Sequence, residues 1–205
     1  MSEVSICNHA LAYLGEEPIR ALTEASKRAT LCRSLYYDTR DSNLSSFDWS
    51  FARKTELLQQ VSETHIEGPM YQMPTDCLTP LSIYPRGQSR LYFKIMGDKI
   101  IIPSWDSTTS SIALYLQYTR REDRTALFSS SFIDIFALDL ATRLCLPLTQ
   151  DKDLLKNMRA DLRVLRMENE AEDANRGDEY RFTDEDPNVD TFVNPIEGSA
   201  WGSDD

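Results

Sequence analysis

LAYLGEEPIRALTEASKRATLCRSLYYDTRDSNLSSFDWSFARK, residues Leu11 to Lys54, sets two helical patterns on either side of a Gly-Pro break and ends in an aromatic corner, Asp48-Trp49-Ser50-Phe51. Upstream, apolar residues recur at Val4, Cys7, Leu11 and Leu14 and at Ile6, Ala10 and Tyr13, which predicts a first helix over about Glu3 to Leu14 with Gly15 just past its end. Thr23 is the expected N-cap of a second helix, with Glu24 in its first turn, running to about Phe47. Its face is Ala25, Ala29, Cys32 and Tyr36, with Leu31 and Leu35 alongside. Small residues there let another backbone approach closely.

From Trp49 to about Arg121 the period changes to two. Leu81 and Ile83, then Leu91, Phe93 and Ile95, alternate with their neighbours. A tight Gly97-Asp98 link leads to Ile100, Ile101 and Ile102, and Ile112, Leu114, Leu116 and Tyr118 make a last strand face. This predicts an antiparallel sheet of about four strands inserted between helices. Helical period returns with Phe132, Phe136, Leu140 and Leu144, until Pro147 is expected to stop the helix. Thr149, Asp151 and Asp153 then open a helix carrying Leu155, Met158, Leu162 and Leu165, whose second half, Met167 to Arg176, loses the apolar stripe and is expected to project or fray.

The expected fold is therefore α+β, mainly α: a bundle of about four helices with an inserted small antiparallel β-sheet and an extended acidic C-terminal tail. Its segments are 1–48 and 123–176 for the two helical parts, 49–122 for the β region and 177–205 for the tail.

The chain has 205 residues and a formal charge of −11, with 41% hydrophobic and 27% charged residues, an ordinary composition for a folding chain. From Asp178 onward nine acids face one base, a net of −8 that leaves −3 for everything before it. With Lys and Arg neither clustered nor interleaved with exposed aromatics, appreciable duplex DNA binding is not expected. The four cysteines, Cys7, Cys32, Cys77 and Cys145, form no C-x-x-C and read as small buried side chains rather than disulfides. Neither a signal peptide nor a membrane span is recognised, so the chain is expected to be made and kept in a cytoplasm.

The tail is too polar and acidic to order itself, yet it spaces Tyr180, Phe182, Phe192, Val193, Ile196 and Trp201 widely, a pattern suited to folding on a partner. Tyr180, Phe182, Phe192, Val193 and Trp201, with the Gly97-Asp98 tip, are the expected partner-binding residues. Catalysis has little to stand on. His9 and His65 lack nearby metal or nucleophile partners, and the scattered 7 glycines make no phosphate loop. Asp184-x-Asp186-x-Asn188-x-Asp190 imitates a calcium loop, but Val189 stands where Gly is required and Pro195 where a bidentate Glu is required. No catalytic, cofactor-binding or metal-ligating residue is assigned.

The order of these pieces resembles tail tubular protein A, the head-to-tail adaptor family of short-tailed bacteriophages. It is carried by Leu14-Gly15, Pro18-Ile19, Arg40-Asp41, the Trp49 corner, Pro74-Thr75-Asp76-Cys77-Leu78, and Thr119-Arg120-Arg121 followed by Phe128, Phe132 and Leu138 to Leu144, spanning about residues 5 to 170. The resemblance implies a structural virion protein of the tail neck, assembled in the host cytoplasm. Twelve copies would form a ring beneath the portal protein, join it to the tail nozzle protein and extend a DNA conduit, without specific DNA binding, a membrane or a cofactor. It also implies portal docking by the far end of the last helix and the acidic tail, with the sheet tip facing the nozzle. Arg120, Arg121, Arg124, Lys27 and Arg28 are then expected to pair with acids of adjacent copies. Without the resemblance, the residues reach only a soluble α+β interaction protein. A glycan-degrading tail-associated enzyme using a carboxylate pair, and a cytoplasmic regulatory protein acting through its acidic tail, remain as alternatives.

Overall fold

The computed structural model describes residues 1–85, 90–103 and 113–181, with the side chains of Thr64 and of 170–181 outside that description. Met1–Leu165 make one compact unit and Arg166–Asp205 a second.

Helix α1 (Glu3–Tyr13) starts at Ser2, whose side chain accepts from the Ser5 N–H at 3.2 Å. It ends as the periodicity requires. Gly15 takes φ +69 and donates to Ala12 O, while Glu16 N–H reaches back to Leu11 O, the paired closure that a left-handed glycine permits. Asn8 then clips the following loop, accepting from Ile19 N–H at 2.8 Å and donating to Ile19 O at 3.0 Å, which buries Ile19.

Helix α2 (Lys27–Ser46) begins later than expected. Its N-cap is Ser26, accepting from Ala29 N–H, and not Thr23. Glu24 belongs to a turn before the helix, where its carboxylate accepts from Arg20 N–H and is held below its ordinary pKa chiefly by that bond.

Helix α3 (Ser130–Thr149) also corrects its expectation: Pro147 lies inside the last turn instead of ending it. So near the C-terminus the lost N–H costs a single bond, and the Pro147 carbonyl accepts from Lys27 Nζ. Gln150, at φ 57, breaks the chain, and Asp151 Oδ1 caps helix α4 (Lys152–Arg181) by accepting from Asp153 and Leu154 N–H, both at 2.9 Å.

Between α2 and α3 the described residues form seven strands in two antiparallel sheets, and this overturns the mainly α bundle with one small sheet: the fold is α+β. One sheet has the order β1 (Arg53–Leu57), β7 (Leu114–Arg120), β4 (Cys77–Pro85). The other has the order β2 (Gln59–His65), β3 (Gly68–Gln72), β6 (Lys99–Ile101), β5 (Lys94–Met96). The additional strands β1, β2 and β3 are made by pairing rather than by apolar alternation. β1 is almost entirely exposed, yet all five of its residues register against β7.

Two cores result. Residues of both sheets share one, in which Leu58, Tyr71 and Ile100 meet Ile83, Leu116 and Tyr118. The other is helical: α1 and α2 both pack on α3, with Trp49, Phe51, Phe128, Phe132 and Phe136 linked by ring contacts of 4.8–5.9 Å, and Leu155, Met158 and Leu162 of α4 close it. Among the described residues no helix is long and apolar enough to cross a membrane.

Candidate functional site

The Gly97-Asp98 tip is a built turn. Gly97 at φ +62 joins β5 to β6, Asp98 O accepts from Met73 N–H at 3.0 Å, and Gln72 Nε2 bonds both Asp98 O and Asp98 Oδ2. The Gln72 bond holds the Asp98 carboxyl below its ordinary pKa. Around this turn the apolar side chains face water, with Ile95 at 53% and Met96 at 47% exposure and Tyr92 also exposed. Ile66, on the β2–β3 turn at the opposite end of the same sheet, is 95% exposed. Lys94 Nζ, at the start of β5, reaches Glu67 Oε1 on that β2–β3 turn at 2.8 Å.

The expected tail residues fare differently. Tyr180 falls on the helical backbone of α4, while Phe182, Phe192, Val193 and Trp201 lie outside the described residues, as does the run from Asp184 to Asp190.

The basic spots read as contacts for adjacent copies are spent within the chain. Arg120 and Arg124 both pair with Glu122, whose carboxylate is nearly buried and held low chiefly by the Arg124 bonds. Arg121 pairs with Asp41 at 2.8 Å, and buried Arg40 binds Asp41 and Asp123, so the loop after β7 is stapled to α2. Arg28 reaches Glu16 and Glu17. These groups compensate burial locally, where stripping one partner leaves a charge stranded.

A second cluster brings two carboxylates together. Tyr118 donates to Asp76 Oδ1 at 2.7 Å and Glu56 Oε2 at 3.0 Å, and Lys54 Nζ bridges Glu56 at 2.8 Å and Asp76 at 3.0 Å. Glu56 titrates below its ordinary value because of the Lys54 and Tyr118 bonds. For Asp76 burial pushes upward, but the bonds from Tyr118 and Lys54 outweigh it and the net shift is downward. A glycosidic general acid needs a raised carboxyl, and neither group has one.

His9 stacks on Tyr13 at 5.2 Å, His65 Nδ1 accepts from Glu67 N–H, and all four cysteines are free. Cys7 and Cys32 are both buried in the helical core, and burial pushes the Cys77 thiol up to about 11. No cluster of metal-ligating side chains occurs among the described residues.

One surface was missed in the sequence. Lys152, Lys156, Arg159 and Arg163 recur at i, i+4, i+7 and i+11, so a helix lines them up on one face. With Leu146, Leu155 and Ala160 they line a groove of about 540 Å³ between the end of α3 and the start of α4. All four cations are exposed, and none takes part in an ion pair or hydrogen bond with another of the described residues. Lys and Arg are therefore clustered after all, and a helical wheel of the predicted last helix carries the signal. No protein-family model matches the chain, and no curated protein matches it at a significant level.

Proposed function

We propose that the chain is a structural assembly protein, a head-to-tail adaptor that sits as a ring between a portal protein and a tail nozzle protein and extends the DNA conduit. The observation that carries this reading is the apolar tip around Gly97-Asp98: Ile95 and Met96 are held in water beside a hydrogen-bonded turn. Exposed apolar side chains gathered on a fixed hairpin suit burial against another protein. The placement of a β region between two helical parts agrees with the order of elements that the family resemblance implies. A carboxylate pair locked on one lysine, with both pKa values lowered, gives the glycan-hydrolase alternative no support.

Electron microscopy and co-sedimentation with the portal and nozzle proteins of the same phage test it. A closed ring on the portal is expected. Ile95→Lys with Met96→Lys is expected to leave that ring intact and to abolish nozzle attachment, since both side chains are exposed and outside the two cores. A chain that forms no ring with portal rejects the reading.

A further inference from the structure

We propose that the groove on α4 is a docking site for the acidic, aromatic segment 182–205 of a second copy of this chain. The groove has an apolar floor, with Leu146 42% exposed beside Leu155 and Ala160, and a basic wall of Lys152, Lys156, Arg159 and Arg163. Every other cationic cluster described above is already matched by acids of its own chain. This one is not. The helix's exposed acids among the described residues, Asp153, Asp161 and Glu168, do not line the groove.

The occupant is chosen by charge and anchor chemistry together. Segment 182–205 carries seven acids, Asp184, Glu185, Asp186, Asp190, Glu197, Asp204 and Asp205, with no Lys, Arg or His. It also carries Phe182, Phe192 and Trp201. Exposed ion pairs alone contribute little, whereas an aromatic side chain seated on the apolar floor supplies an anchor and the basic wall supplies orientation and encounter rate. Duplex DNA is the weaker fit: four cations on a chain of net charge −11 neutralise few phosphates, and the backbone has no use for an apolar floor. Because groove and segment are different parts of one polypeptide, a segment passed onward from each copy to the next gives a heterologous contact, the type that closes into rings, whereas mutual exchange gives a twofold dimer. The segment read in sequence as a portal contact is thus assigned to the neighbouring copy. The inference rests on the groove and not on the adaptor reading, and its test contains no portal.

The test is sedimentation of the full chain over a range of concentration and salt, with charge-swapped variants. The unaltered chain is expected to show a mass that rises with concentration and falls back with added salt. Lys156→Glu with Arg159→Glu, and separately Asp184→Lys with Asp186→Lys, are each expected to weaken association about tenfold or more. Mixing the two variants is expected to restore part of it, because the unaltered segment of the groove variant then meets the unaltered groove of the segment variant. Circular dichroism and melting establish that each variant is folded, and Lys156→Ala with Arg159→Ala replaces the reversal if that variant is not. A monomer at every concentration, association indifferent to the groove, or failure of the mixture to recover overturns the proposal. So does duplex binding that requires the groove while self-association does not.

Discussion

Asn43 on α2 donates from Nδ2 to Asp139 Oδ2 on α3 across 2.8 Å, with Asn43 fully buried and Asp139 nearly so. The same amide donates to Thr39 O, and Trp49 Nε1 donates to Asn43 O, so the pair fixes α2, α3 and the aromatic corner together. Asp139→Ala strands a buried donor and is expected to cost about 2 kcal/mol. Adding Asn43→Ala is expected to cost less than the sum of the singles, by about 1 kcal/mol. Urea midpoints at constant m decide it, and additive losses reject the coupling.

Tyr118→Phe is expected to destabilise the protein by about 1–2 kcal/mol at neutral pH, since the hydroxyl serves both Glu56 and Asp76. Both carboxylates titrate lower when folded, so their stabilisation is complete above the unfolded range near pH ~4 and drains away as pH falls through the lower folded values. The gap in melting temperature between the two proteins should therefore narrow as pH is lowered below about 4. A gap constant across the acid range contradicts the assignment.

The opposite result is expected at Tyr36. Its ring packs on Phe136 at 4.9 Å, its hydroxyl is buried and finds no partner among the described residues, and burial pushes its pKa up. Tyr36→Phe removes a desolvated polar group without removing a bond, so stability should be unchanged or raised by up to about 1 kcal/mol. Thermal and urea melts check this, and a loss as large as that of Tyr118→Phe counts against it.

Removing residues 177–205 is expected to leave the melting temperature within a few degrees. The helical core takes its last side chains from α4 at Leu162 and Leu165, and the sheet core ends at Tyr118. A fall in cooperativity or a shift larger than that of Asp139→Ala shows a stabilising contact from the C-terminal residues.

Elements with strong periodicity were legible: α1 and α3 lie where apolar spacing put them, and the Gly15 and Gly97 turns were readable because a left-handed residue needs glycine. β1 and β2 were not. Arg-Lys-Thr-Glu-Leu and Gln-Gln-Val-Ser-Glu-Thr-His carry no alternation, and their extended backbone comes from partners distant in sequence. Thr23 and Ser26 offer the same hydroxyl chemistry, and only the turn taken by Glu24 chooses between them. Counting charge along the chain concealed the groove cations, which converge only once α4 is wound. The pairing of Arg120, Arg121 and Arg124 within the chain depends on Glu122 lying buried and on α2 passing close by, facts of tertiary structure alone.

Strand β7 lies between β1 and β4, and α3 lies beneath both α1 and α2. Each core is thus completed by an element that leaves the ribosome after the parts it joins. At ordinary translation speeds the ~110 residues ahead of β7 take roughly 5 to 20 s to appear. Throughout that interval the edges of β1 and β4 and the apolar faces of the first two helices have no partners, and the high sequence separation of the missing contacts makes closure slow once they arrive. Nascent chains of this protein are therefore expected to expose unpaired strand edges and apolar helix faces until β7 and α3 emerge, and shielding of those first ~110 residues is expected to raise the yield of folded protein.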